Sequence, residues 1–214
     1  MDTGIVQREL FRKNAYPTRM MFNELPVWDQ RYLQNAILAS TWSKDPSRRV
    51  GAIAVSKEGV PGPGCFNGFP RGIKDTPERL NNKALKNRLT IHAEVNATIL
   101  HPGSVVGCTI YVTHQPCTPC AAFLVQNKYS RIVTFDPELY SGMFDRWGED
   151  FNLSLEIIEE AGIELVLATT FPEGHERHGL PNRLQDSGCC EQPEQHTPIR
   201  VLPLYIHHDE KTPP

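Results

Sequence analysis

The chain has 214 residues, 39% hydrophobic and 22% charged, enough for one sizeable α/β core with extensions around it. No apolar run approaches the roughly eighteen residues that a bilayer span needs. Asp2, Arg8, Glu9, Arg12 and Lys13 interrupt any secretory core, so a soluble cytoplasmic protein is the expectation. The formal net charge of −3 argues against a phosphate polymer, which selects a basic face, and favours a small anionic partner that two or three donors satisfy.

In chain order, residues 1–26 read as an N-terminal extension with a short helix over Arg8–Asn14. From Val27 to Trp42, Trp28, Tyr32, Ala36 and Ala39 recur at helical spacing, with Leu33, Ile37 and Leu38 widening the stripe. That helix ends before Asp45-Pro46, because the residue preceding proline avoids the α region. Val50–Val55 is a buried strand, turning at Lys57-Glu58-Gly59 into a hairpin. The return segment contains Pro61 and Pro63, which cannot donate to a ladder, so it is irregular or lies at an edge. Residues 67–90 form a long polar loop with one helical turn near Glu78–Lys86, a length that commonly carries function.

Helix and strand then alternate: a helix over Ala93–Leu100, a strand over Thr109–Thr113, a helix over Thr118–Asn127, a strand over Arg131–Phe135, a helix over Phe151–Ala161 and a strand over Ile163–Leu167. Gly162 stands where a helix end takes a left-handed residue. Such alternation predicts one sheet covered by helices. In residues 171–214 the composition changes, since seven of the 18 prolines and five of the eight histidines fall there. This marks a polar C-terminal extension, with one strand at most, over Ile199–Ile206. The expected organisation is therefore an extension over 1–26, one domain over 27–170 and a tail over 171–214.

Two clusters carry chemistry: His92-Ala93-Glu94 and, after 21 intervening residues, Pro116-Cys117-Thr118-Pro119-Cys120. Each opens a predicted helix. Side chains at i and i+2 inside a helix face apart, so His92 and Glu94 serve one site only if His92 precedes the first turn. Cys117 and Cys120, three apart, share a face, and both helix starts present positive dipole ends that favour thiolates. Zn²⁺ with two thiolates and a neutral imidazole is electroneutral with three protein ligands, and an unfilled fourth position marks a catalytic rather than a structural site. Glu94, two residues from a ligand, is placed to move protons. Taken alone, a His-x-Glu is a common solvated helix start and a Cys-x-x-Cys is as readily redox-active. In this order, with Pro116 and both at helix starts, the two point to a catalytic zinc. The clustered thiols, without an export signal, are expected to be reduced.

The chain resembles the deoxycytidylate (dCMP) deaminase branch of the cytidine deaminase superfamily over about residues 27–170. Beyond the zinc motif, the likeness rests on Trp42-Ser43-Lys44-Asp45-Pro46 with Val50-Gly51-Ala52, on Phe66-Asn67-Gly68-Phe69-Pro70-Arg71-Gly72 with Asp75, on Glu78-Arg79-Leu80-Asn81, and on Gly107-Cys108-Thr109-Ile110-Tyr111-Val112. The resemblance implies a three-layer cytidine-deaminase-like α/β fold with a central mixed sheet of about five strands. It implies hydrolysis of dCMP to dUMP and ammonia, feeding thymidylate synthesis, with zinc on His92, Cys117 and Cys120 and Glu94 as the proton carrier.

For substrate, it points to the backbone N–H groups of Ala93 and Cys117 near the pyrimidine and to Asn67 at the deoxyribose. Ser43 and Lys44 are the candidates for the 5′-phosphate, and Tyr140 for closing over the nucleotide. Each has a plainer reading: Asn67 as a turn former, Lys44 as a surface lysine, Tyr140 as a packed tyrosine. The family also implies a hexamer or dimer, dCTP and dTTP effectors, and Mg²⁺ accompanying dCTP. Here Cys65-Phe66 stands where Gly-Tyr is usual, which removes a tyrosine hydroxyl from the effector neighbourhood. Arg71, Arg79, Lys83, Lys86 and Arg88 make the 67–90 loop basic, with a solvated face as the default.

His175, His178, Cys189, Cys190 and His196 form a second candidate zinc group, weighed against solvated tail histidines. Within the same chemistry the competing readings are a deaminase of a modified deoxycytidylate or of dCTP, a riboflavin-pathway deaminase and a tRNA adenosine deaminase. The net charge disfavours the last. In a different class stands an inactive zinc-bound regulatory or assembly module, which would have no use for Glu94.

Overall fold

The computed structural model describes residues 16–140 and 143–175. Its elements, in chain order, are β1 (Thr18–Met20), α1 (Val27–Ser40), β2 (Gly51–Val55), β3 (Cys65–Phe66), α2 (Pro77–Asn81), α3 (Lys83–Leu89), α4 (Ala93–Ile99), β4 (Thr109–Val112), α5 (Thr118–Gln126), β5 (Arg131–Phe135), α6 (Met143–Glu160) and β6 (Glu164–Ala168). The strands form one six-stranded sheet in the order β1-β6-β5-β4-β2-β3. β1, β6, β5 and β4 run parallel to one another, while β2 is antiparallel to both β4 and β3.

Alternation along these strands divides the core in two. Ile53, Val55, Tyr111, Val133, Phe135 and Val166 turn to one face, where they meet Tyr32, Leu33, Ala36 and Ile37 of α1. Ala52, Ala54, Ile110, Val112, Ile132, Leu165 and Leu167 turn to the other, against Ala93 and Ala97 of α4, Ala121 and Leu124 of α5 and Ile158 of α6. Helices therefore cover both faces of a mixed sheet, the three-layer architecture the sequence implies. The sheet has one strand more than the expected five or so. Thr18–Met20, within the segment read as an extension, pairs in parallel with Val166–Ala168. Three mostly exposed residues carry no period that marks a strand.

Most other elements fall within two residues of their expected limits. The return of the hairpin is the two-residue edge strand β3, and Gly162 has φ +70° as its position requires. α6 begins eight residues ahead of the expected Phe151. The 67–90 loop holds two short helices rather than one turn, with Thr76 and Asn82 as N-caps accepting from Arg79 N and Leu85 N. The expected helix over residues 8–14 and the strand over residues 199–206 lie outside the described residues.

The stripe of α1 needs correction. Trp28 and Leu38 are not core residues; they are 61% and 55% exposed. The buried face is instead centred on Asp29, Tyr32, Leu33, Ala36, Ile37 and Ser40. Asp29 is 4% exposed and accepts from Tyr111 Oη at 2.7 Å and from both Arg131 guanidinium ends at 2.9 and 2.8 Å. That bidentate pair and phenol replace the hydration of a buried carboxylate and join α1, β4 and β5. Trp28 instead lies outside, stacked on Tyr32 at 5.8 Å with the Arg31 guanidinium 4.7 Å above its ring.

Gly51 is where α1 and the sheet come closest. A Cβ there would lie 1.9 Å from the Ala36 carbonyl oxygen, so only glycine lets β2 pass beneath the helix.

Removing one partner of a buried pair leaves an uncompensated charge. Asp29→Ala is therefore expected to cost about 3 kcal/mol of unfolding free energy in chemical denaturation. Glu164→Ala, which removes a 58% exposed partner of Arg131, is expected to cost below about 1 kcal/mol in the same measurement.

Candidate metal centre

Neither His92 nor Cys117 has helical backbone angles. His92 (φ −72°, ψ 154°) is the N-cap of α4, and Cys117 (φ −69°, ψ 165°) is the N-cap of α5. This extended backbone frees His92 from the helical spacing that would turn it away from Glu94. Pro119 occupies the first turn of α5, where a missing N–H is harmless. The starts of α4 and α5 thus converge, and Cys120, on the first turn of α5, completes the group.

His92 Nδ1 lies 3.2 Å from Cys120 Sγ and 3.5 Å from Cys117 Sγ, and the three ligand atoms all lie within 4.8 Å of one another. Tetrahedral zinc bonds of about 2.0–2.3 Å place neighbouring ligand atoms roughly 3.5 Å apart, so the triangle is of the size that ion needs. Among the described residues, no fourth His, Cys, Asp or Glu joins the group. His92 is exposed, Cys117 half-buried and Cys120 buried, so the centre opens towards solvent on the histidine side.

The two thiols share one proton. The Cys120 hydrogen bond brings Cys117 down to about 5, and the same bond, with burial, pushes Cys120 upwards. Hydrogen bonding with Cys117 raises His92 to about 9. The raised His92 and Cys120 mark the negative charge that the Cys117 thiolate brings to the pocket, which a divalent cation neutralises.

Glu94, at the second position of α4, is 4% exposed. Burial raises its carboxyl to about 7, against the opposing pull of His92. A carboxyl balanced near neutrality beside a metal-sized triangle can take up a proton and give it back at little cost. Cys65 and Cys108 are core thiols instead, 3% and 1% exposed, and burial pushes both upwards.

Most of the substrate candidates have their polar groups already engaged within the fold. Ala93 is the first residue of α4, with its side chain wholly buried. Asn67 knots the 43–50 loop: its amide oxygen accepts from Val50 N at 2.8 Å, its amide nitrogen donates to Arg48 O at 3.0 Å, and its carbonyl accepts from Ser43 Oγ at 2.8 Å. Ser43 is accordingly 2% exposed, and its oxygen also accepts from Asp45 N at 3.3 Å. Lys44 pairs with Asp75 at 3.0 Å on the surface. The Tyr140 hydroxyl donates to Thr113 O, and its ring stacks on His114 at 4.2 Å, leaving it 5% exposed.

Gly68 and Ile91 exchange backbone hydrogen bonds of 3.1 and 2.8 Å. This closes the ends of the 67–90 excursion and delivers Ile91 to His92. Of the basic residues there, Lys86 is not solvated. It is 4% exposed and donates to Asp45 Oδ1 at 2.6 Å, an oxygen that also accepts from Ser47 N and Arg48 N. Reading the sequence does not find that pair, nor the grip of α6 on the Cys117 segment, because both join residues far apart in the chain. The Asp45-Pro-Ser turn was the one local signal for the first. Of the second candidate zinc group, His178, Cys189, Cys190 and His196 lie outside the described residues. No helix among the described residues is long and apolar enough to cross a membrane.

Known proteins are similar to this chain in sequence and in fold. The sequence profile of the cytidine and deoxycytidylate deaminase zinc-binding region matches residues 26–136. An uncharacterized deaminase in the luxG 3′ region of Aliivibrio fischeri is 37% identical over 139 residues, 65% of this chain and 92% of that protein. The deoxycytidylate deaminase of Mycobacterium phage D29 is 30% identical over 121 residues, 50% of this chain and 94% of its own length. The human deoxycytidylate deaminase is 35% identical over 114 residues, and the match spans 63% of that enzyme. In fold, the chain is similar to the dCMP deaminase of cyanophage S-TIM5, at a TM-score of 0.50 and 22% identity, covering 67% of this chain and 98% of that one. The chain belongs to the cytidine and deoxycytidylate deaminase family.

Proposed function

We propose that this chain is a zinc-dependent deaminase converting dCMP and water to dUMP and ammonia, a reaction that feeds thymidylate synthesis. The observation that carries the proposal is the buried Glu94 carboxyl, raised to about 7 beside a His-Cys-Cys triangle of tetrahedral size. The relatives' names support the substrate, and a cyanophage S-TIM5 relative has a structure in complex with dCMP and dUMP. His92, Cys117 and Cys120 hold the ion, which when bound supplies the Lewis acidity that makes water deprotonate near neutral pH.

Glu94 takes one proton from water and passes it to N3 of the pyrimidine, then takes the second from the oxygen now bonded to C4 and delivers it to the amine as the C4–N bond breaks. The low dielectric around Glu94 strengthens each of these contacts. Asn67 has two amide donors, of which the Arg48 bond uses one, and the other is assigned to the deoxyribose. The Ala93 and Cys117 N–H groups, at helix starts, face the pyrimidine. Ser43 and Lys44 remain the assignment for the 5′-phosphate, Lys44 exchanging Asp75 for the ligand. Tyr140 acts from behind, holding His114 in its stack. Homo-oligomeric assembly and dCTP or dTTP effectors extend the same family reading.

Glu94→Gln is expected to retain one zinc per chain while lowering kcat on dCMP by roughly 10²–10⁴-fold, measured as ammonia release. Turnover close to wild type would remove Glu94 from the mechanism. Stripping the metal with a chelator is expected to abolish activity, and stoichiometric zinc to restore it. Cys117→Ser, with a ligand poorly matched to zinc, is expected to lose bound metal by elemental analysis. A preference for deoxycytidine over dCMP would refute the phosphate assignment.

A further inference from the structure

The Cys117 segment has few backbone bonds of its own. Pro116 and Pro119 contribute no N–H groups, and Cys117 is an extended N-cap whose carbonyl accepts from Ala121 N at 2.8 Å. Further restraint comes from α6. Gln115 Nε2 donates to Phe151 O at 3.1 Å, and Ser154 Oγ donates to Pro116 O at 2.7 Å. Thr118 N donates to Asp150 Oδ2 at 3.1 Å, while Thr118 Oγ1 donates to Asp150 O at 2.9 Å. Residues 115, 116 and 118 are thus all bonded to one turn of α6, on both sides of the ligand cysteine. Gln115 and Ser154 are 4% and 0% exposed, so water does not compete for these bonds. Asp150 is the only charged group of this brace. Its carboxylate occupies the first N–H of α5, where the helix dipole favours an anion, and its charge also reaches His92.

We propose that Asp150 is a positioning residue for the metal centre: by holding Thr118 it fixes Cys117 Sγ in ligand geometry, and Ser154 secures the other side through Pro116. Outer-shell groups of this kind orient a ligand before the ion arrives, so the ion does not have to order the loop itself. The role rests on the zinc reading above, and it places part of the metal centre on a helix that carries none of the ligands.

The test compares full-length wild type, Asp150→Ala and Asp150→Asn. Zinc affinity is read by competition with a chromophoric chelator, and ligand geometry by the absorption spectrum of the cobalt-substituted protein. Asp150→Ala is expected to weaken zinc binding roughly 10–100-fold and to alter the cobalt spectrum. Asp150→Asn, which keeps an acceptor of the same size, is expected to recover most of both. A merely structural role would lower the melting temperature of the metal-free protein without changing the cobalt spectrum. Should Asp150→Ala not fold, Thr118→Val carries the same test, with a smaller expected loss of about tenfold. Affinity and spectrum unchanged in the variants, with zinc bound by wild type, would overturn this proposal alone. Failure of wild type to take up zinc would overturn both this proposal and the deaminase reading.

Discussion

The structure depends on two helices starting at the same place. α4 and α5 follow different strands, yet their N-caps, His92 and Cys117, bring Nδ1 and Sγ to 3.5 Å. Were either residue one position further into its helix, its side chain would swing about 100° around the axis and the triangle would open. The sheet supplies the alignment. β4 delivers the Cys117 segment, and the Gly68–Ile91 bridge delivers His92 from the side of β3. Chemistry thus follows from a backbone detail, two extended residues at two helix starts, together with the packing that keeps those starts adjacent.

Much of this was legible in the sequence because its signals are local. The short strand runs of Gly51–Val55 and Arg131–Phe135, the left-handed glycine at 162 and the His-x-Glu and Pro-Cys-x-x-Cys spacings each concern residues within a few positions of one another. The requirement that His92 precede its helix came from the geometry of i and i+2 alone, and the extended angles at 92 meet it. What the sequence hid was contact at a distance. Trp28 reads as core because it is large and apolar, and Asp29 reads as surface because it is charged. The Arg131 pair, 102 positions away, reverses both. The early start of α6 was hidden by Gly148, which reads as a break although Phe144, Trp147 and Phe151 keep a helical spacing.

The polar groups of the 43–50 loop and Asn67 form a supporting frame rather than a row of free donors. Asn67, Ser43 and Asp45 spend most of their hydrogen-bonding capacity on one another and on the backbone of residues 48–50. Such internal satisfaction is what buried polar groups require. The family resemblance nominates Asn67 and Ser43 as ligand contacts. In the folded chain they first shape the loop, and any ligand meets a surface already set.

The closure of residues 67–90 at their base has an architectural consequence. With Gly68 and Ile91 clasped, the intervening stretch is a side branch whose length and content matter little to the strands and helices on which the cysteines and histidine stand. Two struts still join the branch to the trunk: Lys86 to Asp45, almost dry, and Asp75 to Lys44, at the water's edge. Both end on adjacent residues of the same short loop. A load placed on the branch, whether by a bound molecule or by a lengthened sequence, is therefore shared between that loop and the Gly68–Ile91 clasp that leads into His92.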